Sequence, residues 1–356
     1  MRVKDICNLQ NGRAFKQSDW GSEGVPIIRI QNLNNESAPF NYYVGEYDSV
    51  HEIDNGELLF SWSGTPGTSF GAFRWYRGKG VLNQHIFKVI PKIEVNKDYL
   101  KYALNGNIQT IIAKAHGGVG LQHITKKELE EIDIPIIPLK EQTEIVDRIV
   151  QVERIIFMRK QELKKLDNLI KARFVELFGN SEQNPRGLPV LPWNKVFLTT
   201  TGKLDSNAMV ENGQYPFFTC AKESFWIDTY AFDCEALLLA GNNAAGVYDV
   251  KHYKGKFNAY QRTYVLRLVN EQWSYRVFKR QLEDKLRYLK SQSKGTNTRY
   301  LTLGILNKLR FVVPPVTEQE QFSMFVAQVD KSKAAVQKAL DETQLLFDSL
   351  MQEYFG

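Results

Sequence analysis

The chain is written twice. Glu141-Gln142 recurs as Glu318-Gln319, and the same step of 177 residues carries Phe178-Gly179 onto Phe355-Gly356, Gly118 onto Gly295, Gln84 onto Gln261, Gly78-Lys79 onto Gly255-Lys256, Tyr76 onto Tyr253 and Gly64 onto Gly241, all in one gapless frame. Nearer the start the step becomes 190, pairing Pro26 with Pro216 and Gly12 with Gly202, so the second copy is 13 residues shorter somewhere between. At 356 residues the chain is too long for one ordinary core. A repeat of this period makes each copy one folding module. A deletion inside one copy, with the rest in register, is how loops differ on a shared scaffold.

Each copy ends alike. Ile132–Pro138 and Leu309–Pro315 are predicted as short β segments stopped by their prolines. A long helix follows in both. From Glu141 to Leu177 apolar residues fall at Ile145, Ile149, Val152, Ile156, Leu163, Leu166 and Ile170, steps of three and four that make a heptad seam. The second copy repeats it with Phe322, Val326, Val329, Val336, Leu340, Phe347 and Leu350, interrupted by Lys333 and Thr343, polar residues that weaken a seam but fix its register. One such helix alone would be read as lying on its own domain. Two matched ones favour pairing with each other, and an antiparallel pair makes a stiff spacer of roughly 55 Å between domains related by a pseudo-two-fold axis. The expected fold is therefore α+β: α/β domains at 1–138 and 193–315, spacer helices at 139–179 and 316–356, and an exposed Pro-, Gly- and Asn-rich linker at 180–192.

Lys plus Arg number 46 against 40 Asp plus Glu, a mild excess that suits a phosphate-rich partner without demanding one. The first residues lack the apolar core of a signal peptide, and no uninterrupted apolar run approaches a membrane span, so a soluble, cytoplasmic chain is expected. Cys7, Cys220 and Cys234 are odd in number and show no Cys-x-x-Cys spacing, which argues against a disulfide framework or zinc knuckle.

The polar loops are the candidate functional surface. In the first copy, Phe60 to Gly71 is Gly-rich and offers Ser63, Thr65, Thr68 and Ser69, followed by Arg74, Arg77 and Lys79. In the second, Ala240 to Gly246 offers Asn242 and Asn243, followed by Tyr248, Lys251, His252, Lys254, Lys256 and Arg262. A solvated hairpin has a similar composition. The interleaving of cationic and aromatic residues, with few acids, favours contact with base edges and phosphates. A third paired segment contributes Gln122 in one copy and Lys294, Asn297 and Arg299 in the other. It leads into short helical stretches (Lys126 to Glu131; Leu303 to Lys308) whose starts suit a phosphate, while Thr125 and Thr302 suit N-caps. Arg13, Lys16, Arg29, Gln31 and Asn32 form a further basic and amide-rich surface near the start.

Catalytic signatures are absent: no Walker-type Gly-Lys-Ser/Thr loop, no His-Glu-x-x-His, no Gly-x-Ser-x-Gly, no dinucleotide fingerprint and no Asn-Pro-Pro-aromatic methyltransferase motif. No catalytic or metal-ligating residue is assigned. The chain reads as a binder that borrows catalysis.

With these stretches in hand, the chain resembles the specificity subunits of type I restriction–modification systems. The resemblance lies in the junctions Ile132 to Gln142 and Phe311 to Gln319, the endings Ala172 to Gly179 and Leu350 to Gly356, and the paired Gly-x-x-x-Gln/Arg-x-Ile/Leu-Thr segments at Gly118 and Gly295. It implies two target-recognition domains that each read half of a bipartite, asymmetric double-stranded DNA site, with the helices setting the gap. It also implies two modification subunits that use S-adenosylmethionine to methylate adenine at N6, and restriction subunits driven by ATP and Mg, with no cofactor on this chain. The compactness of the chain leaves a type IIB-like specificity subunit as an alternative. A non-DNA coiled-coil scaffold is the rival of a different class.

Overall fold

The structure, a computed structural model, describes residues 1–65, 68–118 and 121–356. It falls into two compact units, Met1–Arg159 with Ala339–Gly356, and Lys160–Lys338. Each unit thus contains one globular domain, part of the spacer helix that follows it, and part of the spacer helix from the other repeat. The spacer helices run Leu139–Phe178 and Val316–Phe355, 40 residues each.

In the first unit, an antiparallel sheet takes the order Cys7–Asn11, Ile86–Pro91, Leu58–Ser61, Gly71–Arg74. A second sheet contains Val25–Ile28 and Gly80–Leu82 as a parallel pair. The helix Lys97–Gly106 covers the first sheet with Tyr99, Leu100 and Ala103, all fully buried. In the second unit, six strands form one sheet, with the parallel pair reproduced by Tyr215–Phe218 against Val250–Ala259. Its core gathers Leu237, Leu239, Leu266, Phe278, Leu282 and Phe311. Gly12 and Gly202 recur because strands approach closely there. A Cβ would meet the Asn83 carbonyl oxygen at 2.2 Å in one domain and that of Ala259 at 1.8 Å in the other.

The helices pair antiparallel inside each unit. Arg148 bonds the Tyr354 hydroxyl at 3.1 Å in the first, and in the second Phe174 and Phe322 meet at 5.4 Å between ring centroids. The apolar seam is where the heptads put it: Ile149, Val152, Ile156 and Leu340 are buried in one unit, Phe322, Val326, Val329 and Val336 in the other. Ile145, Phe347, Leu350, Leu163, Leu166 and Ile170 are partly buried. Lys333 is paired with Asp167 at 2.6 Å, and Thr343 donates back to the Ala339 carbonyl at 2.6 Å. Pairing does not exclude packing on the home domain, because Val146 and Ile149 also belong to the first domain's core.

The repeated endings acquire a role. Phe355 is buried against Tyr99, 5.2 Å between centroids, and its carbonyl accepts from Asn107 Nδ2 at 3.2 Å. Phe178, one repeat earlier, is buried against Phe174 and Phe322. Each Phe therefore closes the domain of the other repeat. The repeated Gln is equally specific. Gln142 and Gln319 are buried. Their Oε1 atoms accept from the backbone N–H of Asn96 and of Ser274, both at 2.9 Å. Their Nε2 atoms donate to the carbonyls of Ile137 and of Pro314, both at 2.8 Å. Asn96 and Ser274 are the N-caps of the domain helices Lys97–Gly106 and Tyr275–Gln292. Each Gln thus ties a domain helix to the start of a spacer helix.

Two expectations are corrected. Arg310–Val312 is a strand paired with Val190–Pro192, but 132–138 is no strand: it is extended chain with a single bridge, Arg2 to Asp133. Its prolines at 135 and 138 limit the ladder it can form. The repeat frame is not gapless either. Ser61 faces Ile86 where Ala240 faces Thr263, so residues 58–64 are offset by 179 and the structural counterpart of Gly241 is Trp62, not Gly64. The linker, though exposed over most of its length, is tied down, with Arg186 on Glu318 at 2.6 Å and Asn184 Nδ2 on the Leu188 carbonyl at 2.8 Å.

Cys7 is buried in the first domain, and burial pushes its thiol up to about 12. Since the thiolate is the reactive form, Cys7 should resist an aqueous thiol reagent at pH 8 while the partly exposed Cys220 is modified. Mass spectrometry of the labelled native chain checks this, and rapid labelling of Cys7 would contradict the packing.

Candidate nucleic-acid interface

The sheet pairings bring the separately predicted polar segments together. In the first domain Ser63–Gly64 pairs with Leu121–His123, placing Ser63 opposite His123 and Gly64 opposite Gln122. Trp62 accepts from Ile124 N–H at 3.0 Å, and its own N–H donates to His85 at 3.3 Å. In the second domain Asn242–Asn243 pairs with Arg299–Tyr300. Gly241 accepts from Leu301 N–H at 2.8 Å and donates to Arg262 at 2.9 Å. Three loops, centred on 62–69, 83–85 and 116–124 in one domain and on 241–247, 260–262 and 294–301 in the other, therefore meet at one end of each sheet. Pro66, Gly67, Val119 and Gly120 of these stretches lie outside the described residues.

Within that loop end, roles divide. Ser69 Oγ accepts from Thr65 N–H at 2.7 Å, Thr68 Oγ1 donates to the Thr65 carbonyl at 3.2 Å, and Asn243 Oδ1 accepts from Ala245 and Val247 N–H at 2.9 and 3.2 Å. These side chains hold the turns. Asn242, Arg262, Lys294 and Asn297 make no side-chain hydrogen bond among the described residues, and the last three are exposed. Arg299 reaches the Lys290 carbonyl at 3.4 Å, and Gln122 Oε1 is buried with no partner among the described residues. The helix starts are N-capped by Thr125 and Thr302. Glu128 takes the anion position in the first, and its hydrogen bonds to Thr125, then to His116, hold its carboxyl at about 2. That carboxylate fills the place at the helix start where a phosphate was expected.

Other candidates are removed or displaced. Asn32 and Tyr248 are buried, the first bonded to the Pro39 carbonyl at 3.1 Å and the second in the domain core. Leu58 faces Arg74 while Ser61 faces Gly71, so Arg74 sits about 10 Å along the hairpin from the Gly-rich turn. Its guanidinium is engaged by the Gly56 carbonyl at 2.5 Å and Asp98 at 2.9 Å. Arg77 donates to the carbonyls of Asn32 and Ala38 at 3.1 and 3.0 Å, under Phe40. Lys79 reaches Glu52 at 3.5 Å. Lys254 and Lys256 face Glu235 and Asp233, roughly 15–25 Å down the strand from Ala240. Lys256 lies over Tyr230, Lys254 reaches Glu235 and Lys251 bonds the Ala221 carbonyl at 2.6 Å. His252 pairs with Glu235 at 2.9 Å and stacks on Tyr275, and burial lowers its pKa. Arg13 is engaged by the Glu46 carbonyl at 2.7 Å and the Tyr43 hydroxyl at 2.9 Å. Lys16 is exposed. Arg29 and Gln31 line a recess with Trp20, Gln84 and His85, three residues that the polar-loop reading missed. The repeated Gln84 and Gln261 were the available signal for it.

Among the described residues no group of His, Cys, Asp and Glu is arranged to hold a metal, and no helix is long and apolar enough to cross a membrane.

A doubled α+β module with paired spacer helices and a polar loop cluster on each domain is the architecture of a modular recognition protein. The model of the "Type I restriction modification DNA specificity domain" matches residues 1–168 and 195–343, and the chain belongs to that family. It is similar to the EcoDI specificity subunit of a type I restriction enzyme from Escherichia coli, 38% identical over 162 residues, 42% of this chain and 35% of the relative. It is also similar to the EcoBI specificity subunit from the same species, 26% identical over 172 residues, 48% of this chain and 35% of the relative. These matches span about a third of the relatives' length. The fold is shared with the S subunit of a type I system from M. genitalium, at a TM-score of 0.62 and 15% identity over 100% of this chain and 95% of that one. It is shared also with a chain from a study of type I complex assembly and conformational transition, at a TM-score of 0.53 and 16% identity, covering 100% of this chain and 96% of that one.

Proposed function

We propose that this chain is the DNA-recognition subunit of a type I restriction–modification assembly, each domain reading one half of an asymmetric bipartite target and the spacer helices setting the gap. The observation that carries the reading is the convergence of the same three loops in both domains, with the frame shared and the side chains different. Ser63, Gln122 and His85 stand where the second domain has Asn242, Arg299 and Arg262. Different donors and acceptors on one scaffold read different bases. The chain is non-catalytic in this scheme, and S-adenosylmethionine, ATP and Mg belong to partner subunits.

Docking of two copies of an adenine-N6 methyltransferase on the spacer helices is supported by a repeated apolar position. Leu169 and Leu346 stand 177 residues apart and are 47% and 50% exposed, and unlike the other exposed apolar residues of these helices, among them Phe157, Met324 and Leu345, they recur as the same residue in both copies. Co-expression with the modification subunits, followed by methylome sequencing, tests the proposal. Asn242→Ala, Asn297→Ala and Arg299→Ala should change one half of the methylated motif and leave the other half and the gap intact. Both halves changing together would refute modular reading.

A further inference from the structure

The first domain has a recess built on a connection that is longer than its counterpart in the second. Between Val25–Ile28 and its partner Asn41–Tyr43 the first copy holds residues 29–40, whereas between Tyr215–Phe218 and Phe225–Ile227 the second holds only 219–224. Much of the length difference between the copies lies here. The longer connection supplies Arg29 and Gln31 to a cavity of about 360 Å³, completed by Trp20, Gln84 and His85. Trp62 joins it to the loop cluster, donating from Nε1 to the Gln84 carbonyl at 3.0 Å and lying 5.2 Å from the His85 ring.

The recess is set for a polar edge. The Arg29 guanidinium lies 4.3 Å from the centre of the Trp20 ring, and Nη1 donates to Asn41 Oδ1 at 2.9 Å. Those contacts fix the plane of the fork and leave its remaining N–H groups unengaged among the described residues. The Gln84 amide nitrogen sits 3.2 Å from His85 Nε2. Donation to Nε2 puts the ring proton on Nδ1, and burial, by lowering the pKa, keeps the ring neutral. His85 Nδ1 and Trp20 Nε1 are buried with no partner among the described residues. The amide oxygens of Gln31 and Gln84 accept no hydrogen bond there, Gln31 using only its nitrogen, on the Pro39 carbonyl at 3.4 Å.

We propose that this recess reads one G·C pair in the half-site bound by the first domain, with the Arg29 fork on guanine N7 and O6 and a glutamine amide oxygen taking the cytosine N4 amino group. Guanine alone presents two acceptors on its major-groove edge, whereas adenine sets an amino donor against the guanidinium and thymine a methyl group. In the second copy the positions of Trp20 and Arg29 hold Val210 and Thr219, so no stacked fork exists and the other half-site is read by different chemistry.

The inference rests on the DNA reading above, and the experiment separates the two. Methylomes are compared for the complete assembly carrying the wild-type chain, Arg29→Ala and Gln84→Ala. The half-site left untouched by Asn297→Ala should contain an invariant G·C pair. Arg29→Ala should relax that pair alone, with discrimination falling roughly tenfold to hundredfold, and Gln84→Ala should relax the same pair more weakly. Loss of the whole half-site with Arg29→Ala would mean a disturbed domain and would leave the decision to Gln84→Ala, which removes no core contact. An unchanged motif with Gln84→Ala and Arg29→Ala, or relaxation at an A·T pair, overturns the inference while leaving DNA recognition standing. Failure of the wild-type assembly to methylate any bipartite motif overturns the DNA reading itself.

Discussion

Phe355→Ala should lower the unfolding free energy of the first unit by roughly 3–5 kcal/mol, the range for deleting a buried aromatic ring when the site cannot collapse. The ring is 3% exposed, Tyr99 meets it edge-on at 5.2 Å, and the Gly106 backbone approaches so closely that a Cβ there would sit 2.5 Å from the Phe355 Cβ. Glycine at 106 admits the ring, and nothing of similar size stands ready to refill its place. Phe178→Ala should act in the same way on the second unit, where Phe174 and Phe322 surround the ring at 5.0 and 5.8 Å. Hydrogen–deuterium exchange across a urea titration, read peptide by peptide, measures both, because the two units supply separate peptides. A loss below about 1 kcal/mol for either change would mean that the last turn frays from its socket in solution, and that these endings do not close the domains.

The architecture was legible because it rests on periodicity. A repeat with matching ends, and seams with steps of three and four, survive any detail of loop geometry. The identity of the contact residues was not legible at the same depth. Arg74, Arg77 and Lys79 follow the Gly-rich turn in sequence, but strand pairing carries Arg74 to the opposite end of the hairpin, where the Gly56 carbonyl captures it, and the Asn32 and Ala38 carbonyls of the 29–40 connection capture Arg77. A long cationic side chain beside a Gly-rich stretch has the same composition whether it faces a phosphate or staples a turn. Tyr248 looked like an aromatic among basic residues, yet it lies in the loop just before Val250–Ala259 and packs into the domain core. Gly64 and Gly241 matched as letters, but a two-residue shift in strand register made Trp62 the true counterpart of Gly241. The Trp20–Arg29 pair joins residues from different segments, and no local pattern announces it.

Replacing the repeated glutamine separates its hydrogen-bonding role from its volume. Gln142→Leu keeps the size of the side chain but orphans the Asn96 N–H and the Ile137 carbonyl, both now satisfied at 2.9 and 2.8 Å. At about 1–3 kcal/mol for each buried unsatisfied group, the first unit should lose roughly 2–6 kcal/mol, with little dependence on pH relative to wild type. Gln142→Glu should behave differently. Protonated, its hydroxyl donates to the Ile137 carbonyl while its other oxygen accepts from Asn96, reproducing the native pair. Ionised, it turns a buried negative charge against a carbonyl. Burial and that carbonyl both raise its folded pKa above the ordinary Glu value of about 4.3. The glutamate variant should therefore approach wild-type stability below the unfolded pKa and lose stability relative to wild type as pH rises toward the folded one. Urea midpoints for wild type, Leu and Glu chains at pH 4 and pH 7 decide the matter. A Glu variant equally unstable at both pH values would show that the side chain acts by packing, and that the hydrogen bonds tying the domain helix to the spacer contribute little.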